Sequence, residues 1–305
     1  MIQVKNVKKS FGKHEVIQNM NFSIEAGEIY GFLGPNGAGK TTTMNMLTGL
    51  LPLDAGQVYI DGMELSQDHE KIEKIIGYLP EDPQFYPYMT GQEYLTYIGK
   101  ISRMKAGEIQ ERNNSLLHLV DLIEAGDRRI GGYSRGMRQR LGLAVAVYNH
   151  PKILFLDEPS SALDPQGRRE LLDIILKLKD DNTTVFLSTH ILSDVERVCD
   201  RIAILHEGII HLEDSIENLQ EQYLQPIYEI QWEGDCTPLK EQLKKAQWLE
   251  KIHTDKNRMT LYVKDRKKSQ RQIFEAFSKI ELPMISMGLK RSTLEDIFVK
   301  VVNNK

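Results

Sequence analysis

Two clusters of residues in this chain have the types and spacing to do chemistry together. Gly34-Pro35-Asn36-Gly37-Ala38-Gly39-Lys40-Thr41 fits a phosphate loop, whose glycines let backbone N–H groups converge on phosphate oxygens where a helix begins. In that pattern Lys40 reaches the β- and γ-phosphates, Thr41 places a hydroxyl oxygen on magnesium, and Thr42 adds a donor to the α-phosphate. The bland alternative is a glycine turn before a helix. Ile153-Leu154-Phe155-Leu156-Asp157-Glu158-Pro159 is an apolar run ending in two adjacent carboxylates, where the magnesium-associated acid of a nucleotide hydrolase is expected. Asp157 then serves the metal, directly or through water, and Glu158 polarises the attacking water as general base. Its alternative is a strand that simply ends in exposed acids.

Both clusters need a sheet to hold them. Alternation at Met20, Phe22 and Ile24, and the turn Asp54-Ala55-Gly56 before Val58 and Ile60, predict an antiparallel β layer from Met1 to about Asp61. Set into it, Glu28-Ile29-Tyr30-Gly31-Phe32-Leu33 leads into the glycine-rich turn and a helix from about Lys40 to Thr48. Residues from about 89 to 150 form a helical subdomain, with Tyr94, Ile98 and Ile101, then Leu116, Val120 and Ile123, at three- and four-residue steps. Continuous apolar runs at Ile153 to Leu156, Val185 to Leu187 and Ile202 to Leu205 predict buried parallel strands. The fold class is therefore α/β, and the phosphate loop makes it a P-loop NTPase whose mixed sheet carries an antiparallel β subdomain and a helical subdomain.

The pattern changes after about Gln222. Alternation at Tyr228, Ile230 and Trp232, a helix from about Pro238, alternation at Met259, Leu261 and Val263, a helix around Ile273 to Phe277 and a strand from Pro283 to Met287 suggest βαββαβ. This is a small α+β ferredoxin-like module, so the expected domains are 1–220 and 221–305. A last helix is expected to open at Ser292 or Thr293, where Ser292-Thr293-Leu294-Glu295 has capping-box spacing.

Composition narrows the class further. With 305 residues, 41% hydrophobic, 27% charged and a net charge of -4, the chain has the composition of a soluble globular protein and the length of a nucleotide-binding domain plus a smaller one. At a pI of about 6.1 no global positive field concentrates nucleic acid, and no nucleic-acid partner is expected. Cys199 and Cys236 belong to no ligand-spaced set, which argues against a disulfide framework or zinc site. The N-terminus lacks a signal-peptide core and no apolar run reaches the roughly 18 residues needed to span a bilayer. The expected location is cytoplasmic.

Taken with what lies between and after them, these motifs closely resemble the ATP-binding cassette (ABC) family of transporter ATPases over about residues 1–220. The resemblance implies ATP and Mg²⁺ as ligands. It places the family signature at Tyr133-Ser134-Arg135-Gly136-Met137, where Ser134 and Gly136 hold the γ-phosphate of ATP on an opposing cassette; Arg135 and Met137 depart from the usual Gly and Gln. Arg135 either adds charge to the phosphate clamp or points to solvent. Ser161-Ala162-Leu163-Asp164 matches the D-loop, so Asp164 lies at the interface between cassettes, and Ser188-Thr189-His190 matches the switch histidine, so His190 contacts the γ-phosphate. The Q-loop glutamine is replaced by Glu81, whose carboxylate can still accept from magnesium-bound water. Phe11 sits where the family stacks an aromatic on adenine, with a core aromatic as the alternative.

The resemblance further implies a second cassette, identical or not, and polytopic membrane subunits on separate chains, which would hold this protein at the inner face of the cell membrane. Asp82-Pro83-Gln84-Phe85-Tyr86-Pro87-Tyr88-Met89 follows Glu81, and its aromatics are expected to receive a helix of the membrane partner or to pack internally. The C-terminal module looks like that of exporter ATPases of the bacterial multidrug, lipid, polysaccharide and peptide-immunity type. The alternative is a soluble cassette ATPase that acts on ribosomes or DNA.

Overall fold

The computed structural model describes residues 1–305 except 162, 223–226, 235–236, 245, 280–282, 291–293, 296–297 and 299–305. Ala162, Cys236 and most of the expected last helix, including Ser292 and Thr293, lie outside the described residues. The chain divides into two compact units, Met1–Ile216 and Glu217–Val299. Among the described residues no helix is long and apolar enough to cross a membrane.

The first unit begins with β1 (Ile2–Phe11), β2 (His14–Ile24), β3 (Ile29–Leu33), α1 (Lys40–Leu47), β4 (Ala55–Ile60), β5 (Met63–Glu64), α2 (His69–Glu73) and β6 (Ile76–Leu79). Helices α3 (Gly91–Ile101), α4 (Ala106–Leu119) and α5 (Arg135–Ala146) form the helical subdomain. The chain then returns through β7 (Ile153–Asp157), α6 (Pro165–Asp180), β8 (Thr184–Thr189), α7 (Leu192–Val198), β9 (Arg201–His206) and β10 (Ile209–Ser215).

Two sheets result. One is antiparallel, in the order β2-β1-β4-β5. The other runs β10-β9-β3-β8-β7-β6, parallel from β9 to β6, with β10 antiparallel at one edge. Every residue of β3, β7 and β8 is buried, as strands covered on both faces require. Phe22 from the antiparallel sheet lies 5.6 Å from Tyr30 and 5.8 Å from Phe186 of the parallel one, in stacked geometry. One core therefore joins both sheets, and each of its fully buried aromatics contributes roughly 2 kcal/mol of transfer free energy.

The short strand β6 was not anticipated as a strand. It has four residues, one of them Gly77, and Pro80 follows at once, so its periodic signal is too short to read. The helical subdomain also differs from the periodic reading. The buried stripe of α3 is Gly91, Leu95 and Gly99, while Ile101 is exposed and Ile123 lies exposed beyond the end of α4. The reason is close approach: a Cβ on Gly99 would sit 2.4 Å from the Tyr148 hydroxyl, and one on Gly91 would sit 2.5 Å from that of Tyr133. A seam closed by missing side chains turns the tyrosines of α3 outward.

The second unit contains β11 (Ile227–Trp232), α9 (Thr237–Lys244), β12 (Leu249–Asp255), β13 (Arg258–Val263), α10 (Arg266–Ser278) and β14 (Met284–Leu289), following α8 (Ile216–Gln222). Its antiparallel sheet has the order β12-β13-β11-β14, the split βαββαβ arrangement. Tyr228, Ile230, Trp232, Met259, Leu261 and Val263 form its core with Leu239, Leu243, Ile273 and Phe277. Edge strand β12 offers only half-buried Leu249 and Ile252 between polar residues, which is why its position could not be read from alternation.

Candidate functional site

The loop between β3 and α1 brings the first cluster to the carboxyl ends of the parallel strands. Gly37 and Gly39 have φ of 82° and 110°, so the loop coils in a region that favours glycine. Gly39 leaves no room for a side chain either, because a Cβ would stand 2.6 Å from Ile17 Cδ1. Two further contacts hold the loop: Gly34 N–H donates to the Thr189 carbonyl (3.4 Å) and Gly208 N–H to that of Ala38 (3.2 Å). We expect Gly39→Ala to lower folding stability by about 1–3 kcal/mol in a denaturant titration, with nucleotide affinity lost in parallel; an unchanged midpoint would show that the loop tolerates the strain.

Strand β7 delivers Asp157 and Glu158 beside that loop. Both are buried. Ser188 Oγ donates to Asp157 Oδ1. Burial, with the Asp157 charge beside it, pushes the Tyr78 hydroxyl up to about 12, and that hydroxyl lies 3.3 Å from Asn45 Oδ1. Glu158 has a φ of 47°, an unusual backbone state for a residue with a Cβ, secured by its N–H donating to the Ser188 carbonyl (3.0 Å). This turn aims the carboxylate back over the phosphate loop. Glu158 Oε1 lies 3.1 Å from Lys40 Nζ and Oε2 lies 2.8 Å from His190 Nδ1. Lys40 Nζ also donates to the carbonyls of Gly34 (2.9 Å) and Pro35 (3.2 Å).

Lys40, Glu158 and His190 line a cavity of about 300 Å³ with Asn36, Gly37, Gly39, Thr41, Thr42 and Glu81, whereas Asp157 is not in its lining. The floor offers amides and an ammonium to an anion, and one wall offers carboxylates. The buried Glu158 carboxylate and Lys40 ammonium compensate each other, so an anion entering the cavity would have to compete for the same ammonium. A cavity of about 710 Å³ opens elsewhere, lined by residues such as Arg112, His118 and Lys177, but none of the predicted site residues reaches it. Arg112 donates to the Val147 and Tyr148 carbonyls where α5 ends and Lys177 stands in the last turn of α6, so both complement helix dipoles there.

The remaining predicted residues are not gathered at that cavity. Ser134, Arg135, Gly136 and Asp164 line a second one of about 390 Å³. Ser134 caps α5, accepting from Met137 N–H (3.2 Å), and Asp164 caps α6, accepting from Gly167 N–H (2.7 Å). Arg135 is exposed. Phe11 closes β1 with 52% of its surface exposed, so it is not a core aromatic, and Lys9 Nζ lies 5.6 Å from its ring centroid. Phe11 does not line the phosphate-loop cavity. Sequence reasoning missed the supports: Gly208 under the loop, and Ser188, which was quoted only as part of the histidine motif.

The chain matches the ABC transporter family over residues 17–161 and the C-terminal domain of DrrA1-3-like ATP-binding proteins over residues 215–302. It is 37% identical to the ABC transporter ATP-binding protein YxlF of Bacillus subtilis, across 99% of this chain and 100% of that one. It is 36% identical to the linearmycin resistance ATP-binding protein LnrL of the same organism, over 68% of this chain and 67% of that protein. Its fold also matches the dimeric ATP-binding cassette MJ0796, solved in a post-hydrolysis state with ADP and Pi, at a TM-score of 0.66 and 28% identity over 71% of this chain and 99% of that one. A ribosome- or DNA-directed ATPase finds no support in these relatives. Full-length similarity, a matching cassette fold and a phosphate loop set against paired carboxylates agree that this chain belongs to the ATP-binding subunits of ABC transporters and that it binds and hydrolyses ATP.

Proposed function

We propose that this chain powers export through separate membrane subunits, and that the Lys40–Glu158–His190 contacts at the phosphate loop are its catalytic centre. The observation that carries the catalytic reading is that one buried carboxylate touches both the loop lysine and the histidine. Before ATP arrives, Lys40 shields Glu158. The γ-phosphate draws the ammonium onto itself, which frees Glu158 Oε1 to accept a proton from the attacking water. His190, at the other carboxylate oxygen, orients that carboxylate and contacts the γ-phosphate. The loop amides, with Thr42, hold the remaining phosphate charge. Phe11 supplies the face for the base.

The donor set suits Mg²⁺. Thr41 and Glu81 line the cavity, Asp157 ends the adjacent strand, and among the described residues no cluster of three or more His, Cys, Asp or Glu could hold a metal unaided. That fits an ion bound by one or two protein oxygens, water and substrate phosphates. When bound, Mg²⁺ supplies charge neutralisation on the phosphate oxygens.

Ser134, Gly136 and Asp164 face a different cavity of the same unit, which supports a site completed by a second cassette. ATP then favours the closed pair by its greater affinity for that state. The membrane partner is received by the aromatics after Glu81. Tyr86 and Tyr88 stack at 5.7 Å while exposing 46% and 67% of their surfaces, and Phe85 meets Tyr94 edge-on at 5.0 Å. We expect Tyr86→Ala with Tyr88→Ala to reduce co-purification of the membrane subunit by roughly tenfold without lowering basal ATP hydrolysis; intact assembly would remove the patch from that role. The resistance function named for LnrL supports export as the direction.

The test is affinity purification of a Glu158→Gln chain from native membranes in mild detergent with ATP. A polytopic membrane protein should come with it. Ribosomes or nucleic acid instead would leave the ATPase standing and defeat the transport reading.

A further inference from the structure

Three segments that lead away from the candidate catalytic residues meet at one buried carboxylate. Ser160 lies two positions after Glu158. Arg168 stands on α6, which Asp164 caps. Asp194 stands on α7, which begins just after His190. Asp194 and Ser160 are 2% and 1% exposed. Ser160 Oγ donates to Asp194 Oδ2, and Arg168 Nε lies 4.0 Å from Asp194 Oδ1. That Nε is itself buried and makes no hydrogen bond.

Such a carboxylate is costly. Burial raises its pKa, against the opposing pull of the Ser160 hydroxyl and of Arg168, and an apolar side chain would fill the same volume without that cost. Packing alone does not account for an acid here. The backbone it secures is the segment in which Glu158 takes its left-handed turn, a state that persists only where surrounding structure over-determines it.

We propose that Asp194 is a positioning residue for ATP hydrolysis: its bond to Ser160, with Arg168 alongside, keeps Glu158, His190 and the Asp164 loop in one register. This rests on the roles given above to Glu158 and His190. The carboxylate touches none of the reacting atoms. It holds the base and the histidine at their 2.8 Å separation and ties both to α6, so that displacement of the Asp164 loop by a second cassette is felt at Glu158.

Steady-state ATP hydrolysis by the full chain tests this, with thermal melting as the control for folding. Ser160→Ala and Asp194→Ala should each lower kcat by about tenfold while the KM for ATP stays within about twofold, since a displacement of order 1 Å at a catalytic group carries a penalty of this size or larger. Asp194→Asn, which keeps an oxygen for Ser160 but loses the charge, should recover most of the rate. A role limited to the dipole at the start of α7 predicts the reverse, because Asn would fail as Ala does. If Asp194→Ala does not fold, Ser160→Ala decides alone: kcat above about a third of wild type, or a loss confined to KM, overturns the proposal. Glu158→Gln measured in parallel separates the two readings, since its retained turnover would remove Glu158 from catalysis whatever Ser160→Ala does.

Discussion

Glu158→Gln should yield a chain that binds ATP at least as tightly as wild type and hydrolyses it about 10²–10⁴-fold more slowly, the span expected for losing general-base catalysis. The amide keeps the volume of the carboxylate but cannot take a proton from water. Tighter binding follows from the geometry. Glu158 Oε1 holds Lys40 Nζ at 3.1 Å, so ATP must displace a buried ion pair to gain that ammonium, and neutralising the carboxylate removes the competitor. Steady-state phosphate release read beside equilibrium binding of a fluorescent ATP analogue checks both parts. Near wild-type turnover would exclude Glu158 as the base.

Lys40→Ala should have the second largest effect, and it acts on two properties. Loss of charge-assisted hydrogen bonds to phosphate, about 1.5–3 kcal/mol, corresponds to a roughly 10–150-fold weaker affinity for ATP. Removing the ammonium also leaves Glu158, whose side chain is only 6% exposed, with His190 as its one remaining partner among the described residues, and breaking such a buried pair costs about 3 kcal/mol of folding stability. The second effect has a signature in denaturant unfolding: adding Glu158→Gln to Lys40→Ala should restore stability, because both members of the pair are then gone. A double variant no more stable than Lys40→Ala would mean that the pair is not what the fold depends on.

The glycine-rich loop and the paired carboxylates were legible in the sequence as structure because each is a local pattern. Gly34 to Thr41 must coil before a helix, and an apolar strand must end where Asp157 and Glu158 stand. His190 was legible only through family resemblance, since a lone histidine after a strand carries no chemistry of its own; the structure puts its Nδ1 2.8 Å from Glu158. The left-handed turn at Glu158 was not legible, because no residue type announces that a glutamate will take a positive φ. The packing of α3 was misread for a simpler reason: periodic analysis looks for apolar side chains, and Gly91 and Gly99 close their seam by having none. Ser160 and Asp194 were invisible as a pair because their contact is made by the fold across distant stretches of chain.

The division of the predicted site residues between two separate cavities has a consequence for concentration. If the groups around Ser134 act only on nucleotide held by another copy, ATP turnover per chain is not an intrinsic constant but obeys mass action. In dilute solution each chain would hold nucleotide and scarcely consume it. Tethered in pairs beneath a membrane partner, the same chains would meet at a high effective concentration, so assembly itself would switch fuel use on, and copies made in excess of their partner would waste little ATP.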